Sequence, residues 1–203
     1  MGNMSEVNAM TIRAYEDGVG QYADATSREV SGSARRWMAT ALAGLSPEAR
    51  VLELGSAFGR DAAYMQSLGY SVLCTDAVTG FVELLQRQGF NAAELNAATD
   101  PLGGPYDLIL ANAVLLHFRR EEVPPIINKM PDSLSDVGRI ALRLKQGEGE
   151  GWEQGKLASP CYFCYWTEPE VDELFNNIGF RTEIDDTVGR SGARWLNVVA
   201  YRN

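Results

Sequence analysis

Histidine occurs once in these 203 residues, cysteine three times, and Lys or Arg never in a run longer than two. A four-coordinate zinc site at Cys161-x-x-Cys164 would have to recruit the one His and the one other Cys of the whole chain, so no metal is expected. An odd cysteine count gives no disulfide framework, and Cys161-x-x-Cys164 lacks the short strand and helix that frame a thioredoxin-type redox pair. The 18 basic residues stand against 27 acidic ones, leaving a formal net charge of −9. Binding a phosphate backbone relies on clustered cations, so nucleic acid is excluded as a partner, and Arg35-Arg36 or Arg119-Arg120 reads as solvated helix face. No stretch of about eighteen apolar residues and no charged-then-apolar leader occurs, which points to a cytoplasmic chain with no membrane partner.

The length suits one full α/β domain with an N-terminal appendage, divided here as a helical lid over 1–45 and a cofactor-binding domain over 46–203. Residues 1–10 carry little pattern and are expected to be mobile.

The chain is organised around Val51-Leu52-Glu53-Leu54-Gly55-Ser56-Ala57-Phe58-Gly59-Arg60-Asp61, an apolar strand that breaks into a glycine-bearing turn and then an amphipathic helix. Gly55 can take the positive φ of a tight strand-to-helix turn and lets a ligand approach the backbone. A second apolar run, Tyr70 to Thr75, ends in Asp76, twenty-one positions after Gly55. In a right-handed βαβ unit that carboxylate stands beside the ribose of a nucleoside lying across the first turn. A dinucleotide fingerprint starting at Gly55 would need glycines where Ala57 and Arg60 stand, and a long Arg there would block packing of helix on strand.

Glu53, Gly55, Gly59 and Asp76 fit a different template, an acid followed by G-x-G-x-G with a carboxylate closing the next strand. In these residues the chain resembles the class I S-adenosylmethionine-dependent methyltransferases, from about Tyr15 onward. The departure is Ala57 at the usual middle glycine, whose methyl is tolerated if φ stays negative there. Asp107-Leu108-Ile109-Leu110-Ala111-Asn112, with His117 beyond it, resembles the family's fourth motif and is expected to run as one strand from Tyr106 to His117. The strand 137–145 matches the family's glycine-led fifth strand, and a terminal hairpin of 180–186 and 194–201, turned around 189–192, matches its antiparallel end. The fold implied is Rossmann-like, with a seven-stranded mostly parallel sheet, a C-terminal antiparallel hairpin and helices on both faces.

The resemblance implies S-adenosyl-L-methionine as cofactor and a small-molecule acceptor, in a monomer or homodimer. It sets Asp76 at the ribose hydroxyls, Gly55 and Ala57 under the methionine portion and Asn96 with Ala97 at the adenine, with Tyr22, Glu53, Ser56, Gly59 and Ala77 as further cofactor contacts. Asn112 and Ala113 line the cleft. Arg60 pairs with the methionine carboxylate or forms an outward salt bridge. Tyr15 and Tyr22, seven apart, match the family's N-terminal lid loosely or staple a helix to the core, with Gly18 and Gly20 weakening the helix between them. His117 is a candidate base, with Tyr15 and Tyr22, or a structural group closing the strand end.

The aromatics Tyr162, Phe163, Tyr165 and Trp166, with Trp152 in the preceding glycine-rich loop, either wall an acceptor pocket or pack as core. Residues 146–152 are too glycine-rich for regular structure, and 119–130 reads as a helix with Pro124-Pro125 in its first turn. Two alternatives stay open: an enzyme that attacks another carbon of the same cofactor, cyclising or cleaving its aminobutyryl arm, and a cofactor-binding regulatory protein without catalysis.

Overall fold

The computed structural model describes residues 5–189 and 192–203. It opens with α1 (Glu6–Asp17), α2 (Val19–Ala25) and α3 (Gly32–Leu42), then alternates β1 (Arg50–Leu54), α4 (Arg60–Ser67), β2 (Ser71–Asp76), α5 (Thr79–Arg87) and β3 (Ala92–Glu94). There follow β4 (Tyr106–Asn112), α6 (Val123–Asn128), β5 (Leu134–Lys145), a ribbon of β6 (Glu150–Glu153) and β7 (Cys161–Cys164), α7 (Glu168–Asn176), β8 (Phe180–Val188) and β9 (Arg194–Arg202). Seven strands form one sheet in the order β3-β2-β1-β4-β5-β9-β8. β1 to β5 run parallel, and β9 enters antiparallel between β5 and β8, as the resemblance implies. The turn of that last hairpin includes Arg190 and Ser191, which lie outside the described residues.

Alternation along the central strands builds a core on each face, since successive side chains point to opposite sides. Leu52, Leu54, Ile109, Ala111 and Ile140 meet α6 and α7 on one face, through Ile126, Ile127, Val171 and Phe175. Val51, Val72, Leu108, Leu110 and Val199 meet α3, α4 and α5 on the other, through Trp37, Met38, Met65 and Leu85. Trp37 also donates its indole N–H to the Val198 carbonyl at 2.8 Å, fixing α3 to β9. α3 is thus part of the sheet's own packing, whereas α1 and α2 lie over the carboxyl ends of the strands.

Four local expectations change. Residues 6–10 are helical: Ser5 caps α1 by accepting the Asn8 N–H at 3.1 Å, and Val7, Asn8, Thr11 and Ala14 are buried. Residues 1–4 lie outside the described residues. The fourth strand stops at Asn112, because Ala113 turns to φ 62° and residues 115–117 coil into a short 3-10 turn. Between 119 and 130 the long helix gives way to a 3-10 turn followed by α6, with proline in its opening turn. The glycine-rich loop is partly ordered: Gly147 and Gly149 bend the chain, and β6 then pairs antiparallel with β7, setting Trp152 opposite Tyr162.

Gly59, the residue before α4, has φ 85°, and a Cβ there would lie 2.8 Å from Leu85 Cδ2 and 2.9 Å from Phe90 Cε2. Gly59→Ala is therefore expected to lower unfolding free energy by about 1–3 kcal/mol, combining left-handed strain with overpacking, as read from denaturant midpoints.

Candidate functional site

The sheet reverses its winding between β1 and β4, and the ends of β1, β2, β3 and β4 open there into one cleft of about 710 Å³, its mouth included. In open α/β sheets this crevice is where ligands sit.

Its floor is the turn after β1. Gly55 has φ 64°, and a Cβ on it would strike Val114 Cγ2 at 2.4 Å, so only glycine lets the two strand ends approach. Ser56 is locked to β2 by donating its N–H to the Thr75 carbonyl at 2.9 Å. Ala57 carries φ 48°, opposite in sign to the expectation from sequence. The partner of this turn is tertiary: the Ala57 N–H donates to Asp76 Oδ2 at 2.9 Å. Left-handed backbone at a residue with a Cβ costs about 1–2 kcal/mol, and Ala57 and Ala113 both line the cleft.

Asp76 is the hinge of the site. Its Oδ1 accepts the Val78 N–H at 3.0 Å while Oδ2 holds Ala57. Burial pushes its carboxyl up to about 6, against the pull of these backbone N–H groups. Glu53 lies beneath the turn and outside the cleft wall, only 2% exposed; burial, with Asp61 adding to it, raises its carboxyl to about 8. Its Oε2 has no hydrogen-bond partner among the described residues, so the neutral acid is the form that fits.

A smaller polar extension, of which Ser56 and Arg60 form part, continues the cleft past Gly55 and Ala57. Arg60 grips Asp61 through Nε at 2.6 Å and Nη2 at 3.1 Å, and Asn112 donates to the same carboxylate at 2.6 Å. At the other end, Asn96 and Ala97 follow β3 beside Ala77 and Val78.

His117 faces Tyr15 from the opposite wall. His117 Nδ1 lies 2.8 Å from the Tyr162 carbonyl, which can only accept, so Nδ1 carries the proton. Nε2 is then the acceptor for the Tyr15 hydroxyl at 3.0 Å. Burial lowers His117 to about 4 and raises Tyr15 far above the ordinary phenol value, so the pair is neutral. Tyr22 packs edge-on to Tyr15 at 5.3 Å.

Eleven of the residues singled out from sequence as cofactor contacts therefore border the cleft or its extension: Tyr22, Gly55, Ser56, Ala57, Arg60, Asp76, Ala77, Asn96, Ala97, Asn112 and Ala113. Glu53 and Gly59 do not; they shape the turn from behind. The five aromatics considered for the acceptor do not border the cleft either. Trp152 and Tyr162 pair edge-to-face on the ribbon, Tyr165 donates to Glu153 at 2.6 Å, and Trp166 lies under Arg120. Phe163 comes nearest, its ring tilted against His117 at 4.9 Å with Lys145 Nζ 3.6 Å from the ring centroid. Asn8, Thr11, Ile12 and Phe81 line the cleft without having been singled out. The 8-11-12-15 spacing marks one helical face, but two of its members are polar and conceal the apolar stripe.

The cleft suits an adenosyl group: Asp76 offers carboxylate oxygens to a sugar diol, Gly55 keeps the floor low, and the buried Thr11 hydroxyl lacks a partner among the described residues. Fold and cleft together define a class I methyltransferase scaffold. A family model described as a methyltransferase domain matches residues 27–183, and the chain belongs to that family, whose cofactor is S-adenosylmethionine. A probable S-adenosyl-L-methionine-dependent methyltransferase, TehB of Haemophilus influenzae, is 31% identical over 101 residues, which is 46% of this chain and 34% of that protein. The match thus spans about a third of the relative's length.

Two solved structures share the fold. The Burkholderia thailandensis 1,6-didemethyltoxoflavin-N1-methyltransferase, holding 1,6-didemethyltoxoflavin and S-adenosylhomocysteine, superposes with TM-score 0.75 at 21% identity, covering 100% of this chain and 92% of that one. The DhpI-SAH complex superposes with TM-score 0.77 at 14% identity, covering 97% of each chain. Among the described residues no helix is long and apolar enough to cross a membrane, and no three His, Cys, Asp or Glu converge as metal ligands.

His117 is neutral in the folded chain down to about pH 4 and takes up a proton near 6.5 when unfolded. The unfolded state therefore binds more protons between these values, so this residue's contribution to stability falls as pH drops from 6.5 to 4, by on the order of 3 kcal/mol. Unfolding of wild type and His117→Gln at stepped pH is expected to show their stability difference growing with pH across that window.

Proposed function

We propose that the protein transfers a methyl group from S-adenosylmethionine to a small-molecule metabolite or natural product through an oxygen, nitrogen or carbon nucleophile. The observation that carries this reading is the continuity of one cleft from Asp76 and the Gly55 turn to the Tyr15–His117 pair. When bound, the cofactor supplies a methyl carbon made electrophilic by its sulfonium, with a neutral thioether as leaving group.

The protein's share is then alignment, exclusion of water and removal of a proton. Asp76 holds the ribose hydroxyls, Gly55 and Ala57 lie under the methionine portion, and Asn96 with Ala97 meets the adenine. Arg60, already oriented by Asp61, attracts the methionine carboxylate. α1 and α2 act as the lid that keeps solvent off the reacting atoms.

Tyr15 and His117 form the base. His117 Nε2 accepts the Tyr15 proton, which leaves the phenol oxygen lone pairs to receive a proton from the acceptor. The acceptor's proton passes to Tyr15 oxygen as Tyr15's own moves to Nε2. His117 keeps its orientation because the Tyr162 carbonyl fixes Nδ1. The Burkholderia neighbour, named for methylation of a small molecule, supports a small acceptor.

Calorimetric titration with S-adenosylhomocysteine, followed by detection of that product from S-adenosylmethionine with a panel of small acceptors, tests the reading; absence of binding would sink it. Asp76→Asn is expected to weaken S-adenosylhomocysteine binding by at least about tenfold, because an amide turns one acceptor oxygen into a donor facing a hydroxyl. Tyr15→Phe should lower turnover by about a hundredfold while leaving cofactor affinity within about threefold, the split that separates a proton-transfer residue from a binding one.

A further inference from the structure

α1 crosses the whole cleft, and its inward face carries Asn8, Thr11, Ile12 and Tyr15. Tyr15 meets His117, while Asn8, seven residues earlier and about 10 Å back along the helix, meets Asn96 at the opposite end. Polar side chains on the buried face of a helix are unfavourable unless paired. Asn8 and Thr11 are each only 4% exposed.

The orientation of the amides follows from their partners. Asn96 Oδ1 accepts the Ala98 backbone N–H at 3.0 Å, so Asn96 presents its NH2 to Asn8, and Asn8 answers with Oδ1 at 2.7 Å. The Asn8 NH2 group makes no hydrogen bond among the described residues, and the Thr11 hydroxyl, one helical turn on, has no partner there either. The Asn8 NH2 group and the buried Thr11 hydroxyl thus line the cleft with no partner among the described residues, beside the segment that follows β3 and next to the strand that ends in Asp76.

We propose that α1 reads the base of the cofactor: the Asn8 NH2 and the Thr11 hydroxyl hydrogen-bond the edge of adenine that carries a ring-nitrogen acceptor and the 6-amino donor. This rests on the cofactor reading above and adds to it residues of the N-terminal helix. Asn8 donates to the ring nitrogen, and Thr11 accepts from the amino group. A 6-oxo purine puts N–H before the Asn8 donors, whereas the Thr11 hydroxyl turns to donate to the oxo group, so the selection of adenine over hypoxanthine rests on Asn8. Because Asn8 and Tyr15 share one rigid helix, seating the base also sets the Tyr15 hydroxyl against His117.

The test is calorimetric titration of the full chain, as wild type, Asn8→Ala and Thr11→Val, with S-adenosylhomocysteine and with S-inosylhomocysteine, its 6-oxo counterpart. Wild type is expected to prefer the adenine compound by at least about tenfold, Asn8→Ala to reduce that preference several-fold, and Thr11→Val to weaken binding of both compounds several-fold. Thr11→Val removes an unpaired buried hydroxyl without changing shape, so its ligand-free melting temperature should be equal to or above wild type while the shift induced by S-adenosylhomocysteine shrinks. Wild-type binding of S-adenosylhomocysteine with an unchanged preference in Asn8→Ala, or with an unchanged affinity in Thr11→Val, would overturn the proposal. No binding of either compound by wild type would overturn the cofactor reading beneath it.

Discussion

One carboxylate ties the site together. Asp76 takes the Ala57 N–H on one oxygen and the Val78 N–H on the other, so the turn after β1 and the turn after β2 are held by a single side chain. Ala57 is left-handed where its N–H meets that acceptor, and two residues before it Gly55 lies directly against Val114. The cleft floor, its depth and its negative pole have one origin.

That arrangement works against the stability of the empty protein. Burial raises Asp76 from 3.8 to about 6 and Glu53 from 4.5 to about 8. A raised folded pKa means stability present at low pH and lost as pH rises through the folded value. Near neutrality Asp76 is a buried anion supported by two backbone N–H groups, a state that a ligand with hydroxyl donors improves. His117 has the opposite sense, so the two walls of the cleft respond to acid in opposite directions.

Local chemistry made most of the scaffold legible in sequence. Gly55, Asp76 and the alternation of apolar strands with amphipathic helices speak through short spacings, and they lead directly to the sheet and its cofactor end. What could not be read was set by contacts between distant segments. Ala57 takes its positive φ in a turn whose N–H partner lies nineteen positions on, beyond any local signal. α1 was obscured because Asn8 and Thr11 face inward, so its buried side does not look apolar. The dense aromatics near Trp166 suggested one wall, but the ribbon sends neighbouring side chains to opposite sides, and only Phe163 reaches His117.

The ribbon itself stands apart from the seven-stranded sheet. Among the described residues its two strands pair only with each other, and a single bridge outside them, from Gln146 to Trp166, lies beside the end of β5. Yet it supplies the Tyr162 carbonyl that orients His117, and Leu157 in its connecting loop packs with Ala14 of α1. Insertions or exchanges between residues 153 and 161 would leave the strand order untouched while redrawing the rim next to His117, so the shape of that rim is free to diverge without rebuilding the floor set by Gly55 and Asp76.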